Sequence, residues 1–196
     1  PALDALIDQL DDRDEQVWFQ SVTAIAKIGP AAEQAIQPLC ETFTDRSVQK
    51  RYRAAWAVGR IGSAAIPVLR DCLTDSSTAQ RAGAIEALGW MSDHAGTAVQ
   101  LLAPMLKEER AEIRRMAVSS LGRLGASSHA ALEPALSDKD SQVRFNALRI
   151  FAKSDTLPDN VANATKTLAQ DTDPAVRAAA LIALGRGLDD QSQLLE

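Results

Sequence analysis

Residues 113–125 read IRRMAVSSLGRLG, and residues 50–62 read KRYRAAWAVGRIG. Laid over one another they need no gap: arginine second, alanine fifth, glycine tenth, arginine eleventh, glycine last. Four more segments join the same register, namely VWFQSVTAIAKIG from Val17, QRAGAIEALGWMS from Gln80, VRFNALRIFAKSD from Val143 and VRAAALIALGRGL from Val176. Successive starts lie 33, 30, 33, 30 and 33 residues apart. Self-similarity at a fixed period of this size marks a repeat architecture, in which each unit buries its apolar face only by stacking on its neighbours. The repeats divide the chain into a half repeat at 1–11, repeats at 12–44, 45–74, 75–107, 108–137 and 138–170, and an incomplete one at 171–196.

Within a unit, small and aliphatic residues recur at helical spacing, as in Val143, Ala147, Leu148 and Phe151. Asp14, Ser47, Ser77, Asp140 and Asp173 stand three residues before the starts, where a short side-chain oxygen caps a helix N-terminus. Arg110 breaks that series. Gly29, Gly62 and Gly125 close the first helix, and Lys27, Arg60, Arg123, Lys153 and Arg186 place positive charge in its last turns. Because the glycines recur with the repeat, they read as helix ends. A second helix follows in each unit. Pro38 and Pro67 fall in its first turns, whereas Pro104 and Pro134 lie deeper and predict a late start or a kink. Leu121 is expected between the helices, and Ala117 where two helices approach closely.

The composition agrees. Hydrophobic residues make up 46% and aromatic ones 4%, so the core is built from alanine and leucine, which suits thin, closely packed helices and not a β-sandwich. A net charge of −5 counts against a nucleic-acid role, since such binding releases counterions through a basic surplus. No apolar run approaches the ~20 residues of a membrane span. Cys40 and Cys72 form no CxxC, and a reducing, cytoplasmic setting is expected. Pro1–Leu10 align with Ala64–Leu73, and Leu194 with Leu195 is the only apolar pair after Gly187; neither end reads as a full cap. The expectation is a segment of a longer solenoid, or a subunit docked at its ends.

The pattern D-x4-V-R-x2-A-x2-A-L-G-x-I-G resembles the HEAT-repeat superfamily, in the short version named after phycobilisome lyases. The fold that the resemblance implies is all-α, a right-handed α-solenoid of antiparallel helix pairs. The function it implies is a protein-binding scaffold or one segment of a larger repeat protein, without catalysis, whose partner is a protein, a peptide or adjacent repeats. A chromophore-handling factor similar to phycobilin lyases is the alternative: a bilin would stack on Trp56 and Trp90 with its propionates on Arg60 or Arg123. No cofactor or metal is called for by the residues themselves. His94 and His129 are each followed by alanine, so the His-Glu pairs of the HEAT-like deoxyhypusine hydroxylases are missing. No GxSxG or phosphate-binding loop occurs.

Two features remain as candidates for recognition. Arg51, Arg81, Arg114, Arg144 and Arg177 hold the second position of five units, with Trp18 in the sixth, and an acid stands five residues before every start: Asp12, Asp45, Asp75, Glu108, Asp138 and Asp171. These read as structural pairs that tie repeats together, since the planar arginine fork bonds two oxygens at once. The second feature is the stripe two, six and ten residues after each start, which core packing leaves free. It carries Tyr52, Trp56, Arg60, Trp90 and Arg123, the residue types enriched at interface hot spots. The concave face, which the resemblance implies is lined by the second helices, stays open as another binding surface.

Overall fold

The computed structural model describes residues 2–154 and 156–192, with side chains through Gly185. The side chain of Arg186 and the Leu194–Leu195 pair therefore lie outside the described residues. Every regular element is helical, and no strand forms among the described residues. The chain divides into two compact units, Pro1–Leu102 and Ala103–Glu196. The first holds α1 (Ala2–Asp8), α2 (Glu15–Ile28), α3 (Ile36–Glu41), α4 (Val48–Ile61), α5 (Ile66–Leu73), α6 (Thr78–Leu88) and α7 (Ala95–Leu102). The second holds α8 (Ala111–Arg123), α9 (His129–Leu132), α10 (Ser141–Phe151), α11 (Asp159–Leu168) and α12 (Pro174–Ser192). In the first unit α4 packs between α2 and α6; in the second α10 packs between α8 and α12.

The helix boundaries follow from local chemistry. The side chains of Asp14, Ser47, Ser77 and Asp140 accept from the backbone N–H of Gln16, Lys50, Gln80 and Val143, and Asp173 accepts from Ala175 and Val176. Arg110 begins α8 without a side-chain cap. Gly29 and Gly62 end α2 and α4 at φ of 66° and 87°, a left-handed turn that a side chain would strain. α12 instead runs on to Ser192, because Leu188 stands where those glycines turn the chain. At the deeper prolines the helix tightens. α7 gives way to a 3-10 segment, Ala103–Lys107, one residue before Pro104, and α9 to Glu133–Ser137 one residue before Pro134. Proline withholds the N–H that the i→i−4 ladder needs, so the chain leaves the α register there.

The arginine series makes bonds that the sequence only half specifies. Each arginine reaches the backbone carbonyl, not the carboxylate, of the acid before its own helix: Arg51 Nη1 to Asp45 O at 2.6 Å, Arg114 Nη1 to Glu108 O at 2.8 Å, Arg144 Nη1 to Asp138 O at 2.8 Å. For Arg114 and Arg144, the carboxylate gripped belongs to the following repeat. Arg114 donates from Nε and Nη2 to both oxygens of Asp138 at 2.7 and 2.8 Å, and Arg144 does the same to Asp171 at 2.8 and 2.7 Å. Asp138 and Asp171 in turn accept the N–H groups of Asp140 and Asp173 and so hold the turns into α10 and α12. Trp18, the sixth member, is 2% exposed, with the Lys50 ammonium 5.2 Å from its ring centre.

Leu121 and Ala117 are fully buried. The glycines, however, are not all helix ends. Gly59, Gly83 and Gly122 sit inside α4, α6 and α8, where a neighbouring element lies against the bare backbone. A Cβ on Gly83 would meet the Phe43 ring at 2.1 Å, one on Gly122 the Ile150 side chain at 2.6 Å, and one on Gly59 the Ala87 carbonyl at 2.6 Å. Gly59 and Gly122, both at the tenth position, and Gly83, at the fourth, are glycine because helix contact leaves no room for a side chain. The thirteenth-position glycines turn the chain instead.

Gly83→Ala should therefore destabilise the first unit by about 1–3 kcal/mol through overpacking. Gly96→Ala on α7, where nothing lies within 4 Å of the added methyl, should stabilise it by about 0.4–1 kcal/mol. Urea unfolding of both variants tests the pair, and a stabilising Gly83→Ala would refute the packing described.

Arg114 is 3% exposed, so Arg114→Ala, which strands the Asp138 carboxylate, should cost about 3–5 kcal/mol. Its neighbour Arg115 bonds Asp140 at an exposed site, and Arg115→Ala should cost far less than Arg114→Ala, because solvent screens the pair. Burial pushes the Asp138 carboxyl up, but the Arg114 fork and the Asp140 N–H outweigh it and hold the group below the usual carboxylate range. The Arg144 fork does the same for Asp171. A lowered folded pKa gives stability that is present above the unfolded value of ~3.9 and lost as pH falls through the folded one. Stability of the wild type should accordingly fall on acidification below about pH 4, and Asp171→Asn should flatten that fall. A wild type equally stable at pH 5 and pH 2 would contradict this (roughly the window set by those carboxylates).

Candidate functional site

In the first unit the free stripe is built on α4, whose core positions Ala54, Ala55, Ala57 and Val58 are fully buried against the neighbouring helices. That packing fixes which residues face out. Tyr52 is 48% and Val48 67% exposed, large fractions for residues of that size. The Tyr52 ring meets the Trp90 ring edge to face, 5.8 Å between centres at 88°. Trp90 is half-buried, its Cβ lying beside Gly59, so the missing side chain at 59 lets the indole lean onto α4. Trp56 is half-buried and carries the Arg53 guanidinium 5.2 Å from its ring centre. The same guanidinium stands 5.9 Å from the Phe19 ring, so Arg53 links two aromatic rings from adjacent helices through their negative faces. Phe19, Val48, Gln49, Tyr52 and Arg53 line a shallow depression of about 540 Å³. Arg60 is exposed on the last turn of α4.

Arg123 lies in the second unit, where its Nη2 donates to Ser120 Oγ at 2.8 Å. It lines an open groove of about 750 Å³ together with His129, Asn146, Arg149, Ile150 and Lys153. A second groove of about 430 Å³ lies beside it, lined by Phe145, Ala152, Ala175, Ala178, Ala179 and Ile182, with Arg149 and Lys153 common to both. His129 tilts over Phe151 at 5.4 Å, with its Nε2 3.4 Å from Ser154 Oγ. His94 of the first unit sits under the turn at Gly62.

Cys40 lies buried on α3 and Cys72 half-buried on α5. A hydrogen bond between the two thiols, with burial, pushes Cys40 far above its ordinary range and draws Cys72 below its own. Both are free thiols.

Of the residues singled out from sequence, Tyr52, Trp56, Arg60 and Trp90 belong to the first unit and Arg123 to the second. Sequence reasoning passed over Arg53 and Val48, and it did not place Lys153 or His129 on a groove. A signal for Arg53 was present: it stands three residues before Trp56, a spacing that makes helical neighbours. For Lys153, which reads as a partner of the helix dipole, no local signal marks a groove wall.

Solved structures similar to this chain are helical repeat proteins. The complex of CpcE and CpcF of phycocyanin lyase from Nostoc sp. PCC7120 matches at a TM-score of 0.64 and 24% identity, over 77% of this chain and 98% of that one. The Escherichia coli protein YibA matches at 0.63 and 19%, over 95% and 72%. A designed armadillo repeat protein in complex with the peptide (KR)4 matches at 0.54 and 18%, over 95% and 100%. At these identities the likeness is one of fold. No curated protein matches the chain in sequence. The HEAT repeats family matches at residues 36–122, 81–147 and 129–195. Those matches span most of the sequence, and this chain belongs to the HEAT-repeat family.

Proposed function

We propose that this chain is a non-catalytic HEAT-repeat scaffold that binds a protein partner through the outward face of α2, α4 and the end of α6. The observation that carries the reading is the arrangement on that face. Tyr52 stands half exposed against Trp90, and Arg53 is held between Phe19 and Trp56. Rigid rings offer large contact area at little entropic cost, and an arginine already stacked keeps its fork aimed outward. No helix among the described residues is long and apolar enough to cross a membrane, and no group of three or more metal-ligating side chains forms among them. The chromophore-handling alternative draws support from the likeness to the lyase complex, which is one of fold.

A photo-crosslinking phenylalanine in place of Tyr52 should trap one defined protein in the native host, whereas the same group at Arg70, exposed on α5, should not. With that partner in hand, Tyr52→Ala and Trp56→Ala should each weaken binding by about 1–2 kcal/mol or more, with circular dichroism unchanged. Normal binding by both variants would move the site to another face. Addition of a bilin should leave its visible absorbance at the free value; a shifted band abolished by Trp56→Ala would favour the chromophore reading instead.

A further inference from the structure

A second surface with its own chemistry lies in the other unit, on residues that the aromatic face of α4 does not use. Arg149 and Lys153, both exposed, lie one helical turn apart at the end of α10. They form a ridge with a groove on either side. On one side the lining is mixed, with Ile150 and Ala126 beside the basic and polar Arg123, His129 and Asn146, and none of the described lining residues is acidic. That is notable in a chain of net charge −5. On the other side the groove is apolar. Its floor is Ala175, Ala178 and Ala179, small residues that leave room, and its walls are Phe145 and Ile182. Ile182 is 60% exposed. The Arg149 guanidinium stands 5.7 Å from the Phe145 ring centre, which steadies its long side chain at the boundary between the two grooves.

We propose that the paired grooves bind an extended acidic peptide segment that carries a large apolar side chain next to its carboxylates. The carboxylates would bond Arg149 and Lys153 along the ridge. The planar arginine fork suits bidentate contact and the lysine supplies a mobile point charge. The apolar side chain enters the alanine-floored groove and covers Ile182. Charge complementarity selects the occupant: a basic segment is repelled by the ridge, and a neutral one leaves Arg149 and Lys153 without a counter-charge. Each part alone is weak, since exposed ion pairs contribute little. Joined on one peptide they give a specific order of groups.

The test uses a fluorescein-labelled peptide of alternating aspartate and glutamate followed by leucine, and the same peptide with serine in place of leucine, titrated by fluorescence anisotropy. The leucine peptide should bind more tightly than the serine one, by about tenfold for a buried side chain of ~1.5 kcal/mol or more. Arg149→Glu with Lys153→Glu should weaken both peptides at least tenfold. Ile182→Ser should remove the leucine preference and leave the serine peptide unchanged. Lys166→Glu, the same charge reversal at a single exposed site on α11 outside both grooves, should have little effect. Amide chemical-shift changes on the unmodified chain should concentrate at Gly122–Ala126, Asn146–Ser154 and Ala175–Ile182, which keeps the question decidable if a variant fails to fold. Equal weakening by Lys166→Glu, shifts centred elsewhere, or a duplex oligonucleotide displacing the peptide from the ridge would each overturn the proposal. So would self-association through these grooves in sedimentation. The experiment leaves Tyr52 and Trp56 untouched, so its failure and that of the α4 face are separate results.

Discussion

The bond on which the second unit depends is the fork from Arg114 to Asp138, repeated from Arg144 to Asp171. Each aspartate is used twice. Its carboxylate takes the arginine of the preceding repeat, and its backbone carbonyl takes the arginine of its own. The link is thus a zipper along the stack, and it fixes the offset of one helix against the next. Arg114 is almost completely buried yet also donates to the carbonyls of Glu108 and Glu109, so its charge is compensated on all sides. A buried charge that is fully bonded adds little net stability but strongly penalises every other register. Its consequence is geometric: helices held in one register present the same surface positions outward each time.

The rest of the spacing is set by what is absent. Gly59, Gly83 and Gly122 carry no side chain, and Ala54, Ala57 and Ala117 carry a small one, so neighbouring helices sit close and the units stay thin. Close approach of the inner faces leaves the outer face with nothing to cover. Large residues there serve no core, and they lie half exposed: Tyr52 and Trp56 in the first unit, Phe145 and Ile182 in the second. The two faces nonetheless differ in chemistry. The first presents stacked rings around Arg53, while the second presents a cationic ridge beside an alanine floor. A repeat fold produces this kind of divergence readily, because outward positions vary without touching the zipper.

Much of this was legible in the order of residues. The caps at Asp14, Ser47, Ser77, Asp140 and Asp173, the turns at Gly29 and Gly62, and the loss of α register at Pro104 and Pro134 all follow from bonds within a few residues of the signal. Such interactions depend only on the local chain, so the sequence by itself determined the helices, their ends and their family. Which groups meet between helices could not be settled in that way. The arginine series was visible, but not that the forks of Arg114 and Arg144 pass over their own acids to the next repeat. A glycine at the tenth position looks like one at the thirteenth, although the first admits a neighbouring helix and the second turns the backbone. Cys40 finding Cys72, Tyr52 finding Trp90 and Arg53 finding Phe19 are likewise decided by rotation and offset between helices. Those quantities come from side-chain packing summed over whole faces, and only the tertiary structure resolved them.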